Sequence, residues 1–237
     1  MNLVALQTKT NENFQDNLDY LEKLILQTPI NSFILAPELC LTEYSYDRLE
    51  ELANFTNIAK TKLLELSKQR TISLTMTTKK DGKYYNTFFT FKDGAILYTQ
   101  NKVELFKLTQ EDRYFTSGNK DDILIFNYNN LKIAVLICFE LRYIDYWQKI
   151  RGADIILIPA MWGKSRKDNY ETLTQALAVA NQCFVIASCS ANEEFAKGSS
   201  IISPFGLKTM DDESEIISSD IDLKEIKMMR KYLDVGI

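Results

Sequence analysis

Short apolar runs that alternate with amphipathic stretches restrict the fold of this chain more than any other feature. Three stretches, residues 13–27, 47–70 and 168–181, repeat their apolar residues with the period of a helix. The strand-like runs are rich in β-branched or aromatic residues and end at turn residues. They span residues 3–7, 33–37, 71–77, 86–91, 95–99, 123–128, 132–138, 154–159, 183–188, 200–203 and 215–220. This pattern predicts an α/β fold with helices covering the outer faces of sheets.

Two Asp-Gly pairs, at 81–82 and 93–94, predict tight hairpins, because this dipeptide favours the turn that joins antiparallel strands. The chain contains 8 glycines and 4 prolines and shows no repeat or flexible linker. We therefore predict one domain over residues 1–237. The acidic residues 211–215 are interpreted as a solvated turn before the last strand.

The N-terminal residues, the length of the apolar runs and the net charge indicate where the protein is located and what it can bind. Residues 1–13 lack the basic leader and cleavage site of a signal peptide, and no apolar run reaches the length of a membrane helix. The formal net charge of -4 gives no reason to bind nucleic acid. The prediction is a soluble, cytoplasmic protein.

The absence of histidine limits the chemistry of the chain more than its charge does. It excludes Ser-His-Asp and Cys-His catalysis and zinc sites that use histidine, so an enzyme of this sequence needs another base. Cysteines stand at 40, 138, 183 and 189 without paired C-x-x-C spacing, which predicts neither disulfides nor zinc. No glycine-rich nucleotide-binding motif is present, and we expect no metal or organic cofactor.

Three reactive side chains stand where apolar runs end, the position that carries the chemistry in many α/β proteins. Residues 33–37 lead into Glu38, residues 95–101 into Lys102 and residues 131–137 into Cys138. Each alone has an ordinary structural explanation. Together they supply a thiol nucleophile, a carboxylate that shuttles its proton and a cation near the developing oxyanion. This set predicts acyl transfer without histidine.

Residues 139–143 can begin a helix directly after Cys138. A helix N-terminus would lower the pKa of the thiol and present free N–H groups to an anion. The N–H of Phe139 is then a candidate second donor to the oxyanion.

Three motifs resemble those of the nitrilase superfamily: residues 37–44 its glutamate motif, 101–106 its lysine motif and 137–143 its cysteine motif. Agreement continues through residues 151–162, 181–185 and 198–206, so the resemblance covers nearly the whole chain. It implies a four-layer α-β-β-α sandwich, a homodimer and a Glu-Lys-Cys triad that hydrolyses non-peptide carbon–nitrogen bonds. It also implies that Glu111 helps to position the substrate and the triad.

Residues 176–182 depart from the superfamily pattern, because Leu177 and Ala180 stand where relatives often carry an arginine and a glutamate. Neither position belongs to the triad. We expect the departure to affect local salt bridges or dimer packing and to leave the chemistry intact.

Within the superfamily the chain looks most like the omega-amidase branch, which deamidates small dicarboxylate monoamides such as 2-oxoglutaramate. Such a substrate needs a cation for its distal carboxylate, and Arg166, Lys164 and Arg142 are candidates. Trp162 either lines the pocket or packs in the core. Two alternatives stay open: an N-carbamoyl amide hydrolase with the same triad, and a non-catalytic protein of the same fold that binds a partner.

Overall fold

The computed structural model describes residues 1–237, which form twelve strands and six α-helices. The strands are β1 (Asn2–Leu6), β2 (Phe33–Leu35), β3 (Thr71–Lys80), β4 (Lys83–Lys92), β5 (Ala95–Asn101), β6 (Phe126–Tyr128), β7 (Leu131–Val135), β8 (Ile155–Ala160), β9 (Phe184–Cys189), β10 (Ser200–Ile202), β11 (Lys208–Met210) and β12 (Ile216–Asp220). The helices are α1 (Phe14–Gln27), α2 (Leu49–Leu66), α3 (Glu111–Tyr114), α4 (Ile144–Lys149), α5 (Lys167–Asn181) and α6 (Lys224–Tyr232).

The strands form two six-stranded sheets. The order in the first sheet is β12-β1-β2-β3-β4-β5, and the order in the second is β11-β10-β9-β8-β7-β6. Strands β1, β2 and β3 run parallel, as do β7, β8 and β9, and the outer strands pair antiparallel. Within each sheet the parallel strands end on the same side, which is where α/β proteins tend to carry their functional residues. The residues that follow β2 belong to this edge of the first sheet, and those that follow β7 belong to this edge of the second.

The two sheets pack face to face, and helices cover their outer faces. Along β1, Leu3 and Ala5 lie in the core between the sheets, whereas Val4 and Leu6 belong to the separate core beneath α1 and α2. This alternation follows from the two-residue period of a strand. On the other side, α5 packs against β9 and β10. The result is the predicted four-layer α-β-β-α sandwich.

The predicted helices 13–27 and 168–181 are confirmed, with small shifts of their ends. Asn13 caps α1, since its side chain accepts hydrogen bonds from the N–H groups of Gln15 and Asp16. The prediction of a helix over 47–70 is too long, because α2 ends at Leu66. The chain has to turn there to enter β3 beside β2, and the N–H of Thr71 already bonds the carbonyl of Ser32.

Both predicted hairpins are present, joining β3 to β4 and β4 to β5. Asp81 and Gly82 have φ of 50° and 74°, and Asp93 and Gly94 have 53° and 75°, as a two-residue turn with two left-handed positions requires. All eleven strand-like runs contain a strand, and β11, α3, α4 and α6 are additions that the patterns did not predict. None of the helices combines the length and apolar character needed to cross a membrane.

Candidate active site

The three candidate catalytic side chains come from both sheets. Glu38 follows β2 and Lys102 follows β5 in the first sheet, and Cys138 follows β7 in the second. Their side chains meet where the two sheets end, and all three line one cavity of about 320 Å³. Glu38 is 0% exposed, Lys102 1% and Cys138 8%. Two buried charges and a thiol therefore share a space large enough for a small molecule.

The ammonium of Lys102 is fully engaged. Its Nζ lies 2.8 Å from Glu38 Oε1, 2.9 Å from Glu111 Oε2 and 2.9 Å from the Tyr44 hydroxyl. An ammonium has three N–H donors, so each has an acceptor. Glu38 and Glu111 together hold the pKa of Lys102 above its ordinary value despite its burial, and the side chain is charged at neutral pH.

The carboxylate of Glu38 accepts hydrogen bonds at both oxygens. Oε1 accepts from Lys102, from the Tyr44 hydroxyl at 2.6 Å and from Asn86 Nδ2 at 2.9 Å. Oε2 accepts from the backbone N–H of Met161 at 3.1 Å. Burial alone would raise the pKa of Glu38, but the Lys102 charge and these hydrogen bonds hold it below the ordinary value. Glu38 is therefore an ionised base.

The thiol of Cys138 shares the cavity with the Glu38 carboxylate, which acts on the pKa of the thiol. Burial and the negative charge of Glu38 raise the pKa of Cys138 well above its ordinary value, although Lys102 opposes the shift. The predicted lowering of this pKa by a helix N-terminus is therefore wrong. The thiol keeps its proton at neutral pH and needs a base when it attacks, and the ionised carboxylate beside it is that base.

Cys138 occupies a strained turn. Strand β7 ends at Val135, earlier than predicted, and Cys138 has a φ of 48°, in the left-handed region that non-glycine residues rarely adopt. It begins a 3₁₀ helix over Cys138–Arg142, so a helix does follow the strand end here, as residues 139–143 predicted. The N–H of Phe139 in this turn donates to no group of the protein. This N–H is free to bind an anion.

Glu111 supports Lys102 from behind. It is 0% exposed, and Oε2 accepts from Lys102 and, at 2.7 Å, from the backbone N–H of Phe106. It does not line the cavity. The arrangement allows Glu111 to orient Lys102 but gives it no contact with a molecule in the cavity.

Two of the three candidate cations for a substrate carboxylate line the space around Cys138. Arg142 and Arg166 border a narrow recess together with Cys138, Phe139 and Trp162. Lys164 is exposed and lies outside this lining.

The Arg166 guanidinium lies 5.5 Å from the Phe106 ring centroid, over Gly163, where a Cβ would come within 2.7 Å of its Nη2. Trp162 both lines the recess and packs on Tyr170 in the core, 4% exposed. The two interpretations of Trp162 therefore both hold.

Tyr44, Asn86 and Glu140 were not predicted, although each makes hydrogen bonds at the site. Tyr44 and Asn86 bond the Glu38 carboxylate, and Glu140 bonds the backbone beside both Lys102 and Cys138. Tyr44 lies in the glutamate motif, residues 37–44, and Glu140 in the cysteine motif, residues 137–143, so these motifs could have indicated both residues. Asn86 had no local signal, because it sits in an ordinary strand.

The two departures from the superfamily pattern take different environments. Leu177 is 0% exposed and belongs to the main hydrophobic core, whereas Ala180 is exposed. An apolar side chain fits the buried position without a charged partner.

No group of three or more Cys, Asp and Glu side chains is arranged to hold a metal ion.

The sequence matches the Carbon-nitrogen hydrolase family model over residues 3–231. It is 30% identical to the 2-oxoglutaramate amidase of Bacillus subtilis (strain 168), over 96% of this chain and 91% of that protein. It is 29% identical to the omega-amidase NIT2 of Mus musculus, over 73% and 70% of the two chains. The crystal structure of a carbon-nitrogen hydrolase from Helicobacter pylori G27 superposes with a TM-score of 0.86 at 20% identity, covering 98% of this chain and 92% of that one.

The four-layer fold with its Glu, Lys and Cys side chains at the sheet ends is that of a nitrilase-type hydrolase. The chain belongs to the carbon-nitrogen hydrolase family. The resemblance inferred from the motifs is thereby confirmed.

Proposed function

We propose that this protein is an omega-amidase, which releases ammonia from small dicarboxylate monoamides such as 2-oxoglutaramate through a thioester on Cys138. The observation that carries the proposal is that the Cys138 thiol, the Glu38 carboxylate and the Lys102 ammonium line one buried cavity. The substrate class is supported by the activities for which the relatives from Bacillus subtilis and Mus musculus are named.

In the first step Cys138 attacks the amide carbonyl carbon. The new bond joins Sγ to that carbon while the thiol proton moves to Glu38, and the carbonyl electron pair moves to its oxygen. The negative charge of Glu38 moves to the substrate oxygen in this step. The site therefore holds the same net charge before and after the attack. Lys102 stabilises the negative charge while it is on Glu38 and again when it is on the substrate oxygen.

The oxyanion has one free donor, the N–H of Phe139. Lys102 acts on it through its positive charge, because its three N–H groups already have acceptors. A direct hydrogen bond from Lys102 requires that one of these contacts be given up. The Tyr44 hydroxyl is the neutral partner of the three, so its contact costs least to exchange.

Collapse of the intermediate breaks the carbon–nitrogen bond. Glu38 returns its proton to the departing nitrogen, ammonia leaves, and a thioester remains on Cys138. Water then attacks the thioester carbon with Glu38 as the base, the carbon–sulfur bond breaks, and the thiol regains the proton. The products are ammonia and the free carboxylic acid.

Arg166 is the cation that we propose for the distal carboxylate of the substrate. Its guanidinium lines the cavity and pairs with no carboxylate of the protein, whereas Arg142 donates to Asn169 and stacks on Trp162. The carboxylates of Glu43 and Glu194 also line the cavity. Like charges repel in a partly buried site, so these carboxylates oppose a negatively charged substrate, and a cation such as Arg166 is needed to offset them.

The test of this function compares four amides by ammonia release: 2-oxoglutaramate, glutaramate, the neutral pentanamide and N-carbamoyl-β-alanine. Wild type should prefer the first two. In Arg166→Gln their KM should rise about 10- to 100-fold, since one charged hydrogen bond is lost. Pentanamide should be unaffected by that change. Lys164→Gln, an exposed cation outside the cavity, is the matched control and should behave as wild type.

Three results separate the alternatives. Faster turnover of N-carbamoyl-β-alanine favours an N-carbamoyl amide hydrolase. Equal turnover of pentanamide and glutaramate contradicts the role of Arg166. Absence of ammonia from all four amides contradicts the omega-amidase assignment and favours a binding protein of the same fold.

A cytoplasmic location and a homodimer complete the proposal. All four cysteines are free and buried, which fits a reducing compartment. The dimer is inferred from the superfamily resemblance alone, and the oligomeric state in solution tests it.

A further inference from the structure

We propose that Glu140 is a positioning residue whose carboxylate holds Cys138 and Lys102 at reacting distance across the gap between the two sheets. The inference rests on the proposed amidase function for its kinetic test. It concerns a side chain that the catalytic steps above do not use.

The geometry of Glu140 carries the inference. Oε1 accepts the backbone N–H of Val103 at 2.6 Å, and Oε2 accepts the backbone N–H of Ile137 at 2.7 Å. Val103 directly follows Lys102, and Ile137 directly precedes Cys138. One fully buried carboxylate therefore bonds the chain neighbours of both residues, and it stands in the same 3₁₀ turn as Cys138.

The position of Lys102 explains why such a bond is needed. Lys102 follows β5, which is an edge strand of the first sheet, and Cys138 follows β7 in the second sheet. The other backbone bonds of Lys102, to Asn86 and Gly118, fix it to its own side of the site. The bond from Val103 to Glu140 links this segment directly to the cysteine turn. The Tyr146 hydroxyl also bonds Glu104, and the Gln100 amide bonds the Val135 carbonyl, but neither contact reaches the chain neighbours of both Lys102 and Cys138.

Glu140 has no positively charged partner of its own, because no lysine or arginine lies within salt-bridge distance and Lys102 is engaged elsewhere. The titratable groups that face it are Lys102 from the segment after β5, Tyr98 from β5, and Tyr143 and Tyr146 from the segment after Cys138. The three phenols are neutral at pH 7, because burial and nearby carboxylates raise their pKa values.

Protonation of Glu140 should loosen the link. Burial raises the pKa of Glu140 to about 7, although the N–H groups of Val103 and Ile137 oppose the shift. A protonated carboxyl has an O–H where it previously had an acceptor, so one of the two N–H groups loses its bond. The link is intact above pH 7 and weakens as the pH falls through 7.

The experiment measures kcat/KM for the best amide of the panel between pH 5 and 9. Wild type should lose activity as the pH falls through about 7, with the pKa of Glu140. Glu140→Gln mimics the protonated form at every pH, because its amide accepts at one atom only. It should be about 10- to 100-fold less active than wild type at pH 8, the cost of a small misplacement of reacting groups. Its profile should lack the limb near pH 7.

Unfolding provides a second measurement with the opposite sign. The folded protein binds a proton at Glu140 at about pH 7, whereas the unfolded chain binds it near the ordinary value of 4.5. Wild type should therefore gain stability as the pH falls from 8 to 5, while it loses activity. Glu140→Gln should lack this gain. A merely structural role would lower activity and stability together.

Glu43→Gln is the control, because Glu43 also has a raised pKa, lines the cavity and faces Glu194. Its profile should keep the limb near pH 7. A wild-type profile without that limb, or the same limb in Glu140→Gln, overturns the proposal. If wild type hydrolyses no amide, the proposed amidase function is contradicted. The role of Glu140 is tested separately by unfolding, and it is overturned if wild type and Glu140→Gln show the same pH dependence of stability.

Discussion

Cys138→Ala should lower the release of ammonia by about 10⁵-fold or more. The loss is large because no other side chain at the site can replace the sulfur. Cys138 is the only cysteine that lines the cavity, and the chain has no histidine to activate a water or a serine. Without the sulfur, the only nucleophile left to Glu38 is water, which would have to attack the amide directly instead of the more reactive thioester.

Cys183→Ala is the matched control for this substitution. Cys183 is also fully buried, but it lies in the main core away from the cavity. The change should cost about 1 kcal/mol of stability through a small void and should leave activity near that of wild type. Activity retained in Cys138→Ala, or lost equally in both variants, would contradict the assignment.

Lys102→Met should lower the free energy of unfolding by about 3–5 kcal/mol, the usual cost of removing one partner of a buried ion pair. The ammonium is 1% exposed and lies between two carboxylates that are 0% exposed. Its removal leaves both carboxylates without a cation. Activity should fall as well, because the oxyanion loses its nearest positive charge. Chemical denaturation measures the first effect and ammonia release the second.

The pH dependence of stability distinguishes the loss of the lysine charge from a simple packing defect. In wild type the pKa of Glu38 is held low, so its contribution to stability is lost as the pH falls below about 4.5, its ordinary value. In Lys102→Met the buried Glu38 carboxylate should have a raised pKa, because burial is no longer opposed by the lysine charge, and the variant should gain stability as the pH falls.

The double variant Lys102→Met with Glu111→Gln removes one of the unpaired charges and should recover part of the loss. If the double variant is no more stable than Lys102→Met, the unpaired charge is not the cause.

Local patterns in the sequence were sufficient for most of the fold. The strands were found because their apolar residues form short runs, and the hairpins because Asp-Gly suits a left-handed turn. Helix α6 was missed because it is short, nine residues, and buries only Ile226 and Met229 among charged residues. Strand β11 has three residues and no buried side chain.

The residues of the site also fall into those that local sequence patterns reveal and those that they do not. Glu38, Lys102 and Cys138 are visible in the sequence because each reactive group interrupts an apolar run. The groups that set their protonation and spacing are not visible, because their partners are distant along the chain: Asn86 bonds Glu38 across 48 positions, and Glu140 bonds Val103 across 37. Packing of the two sheets creates these contacts, and no local spacing encodes them.

The thioester on Cys138 is the central claim, and mass spectrometry tests it most directly. Wild-type enzyme is quenched with acid during turnover of 2-oxoglutaramate and digested, and its peptides are compared before and after hydroxylamine. The peptide that contains Cys138 should carry the mass of the acyl group, and hydroxylamine should remove it. An acyl group on a different residue, or steady turnover with Cys138 never modified, would contradict the account.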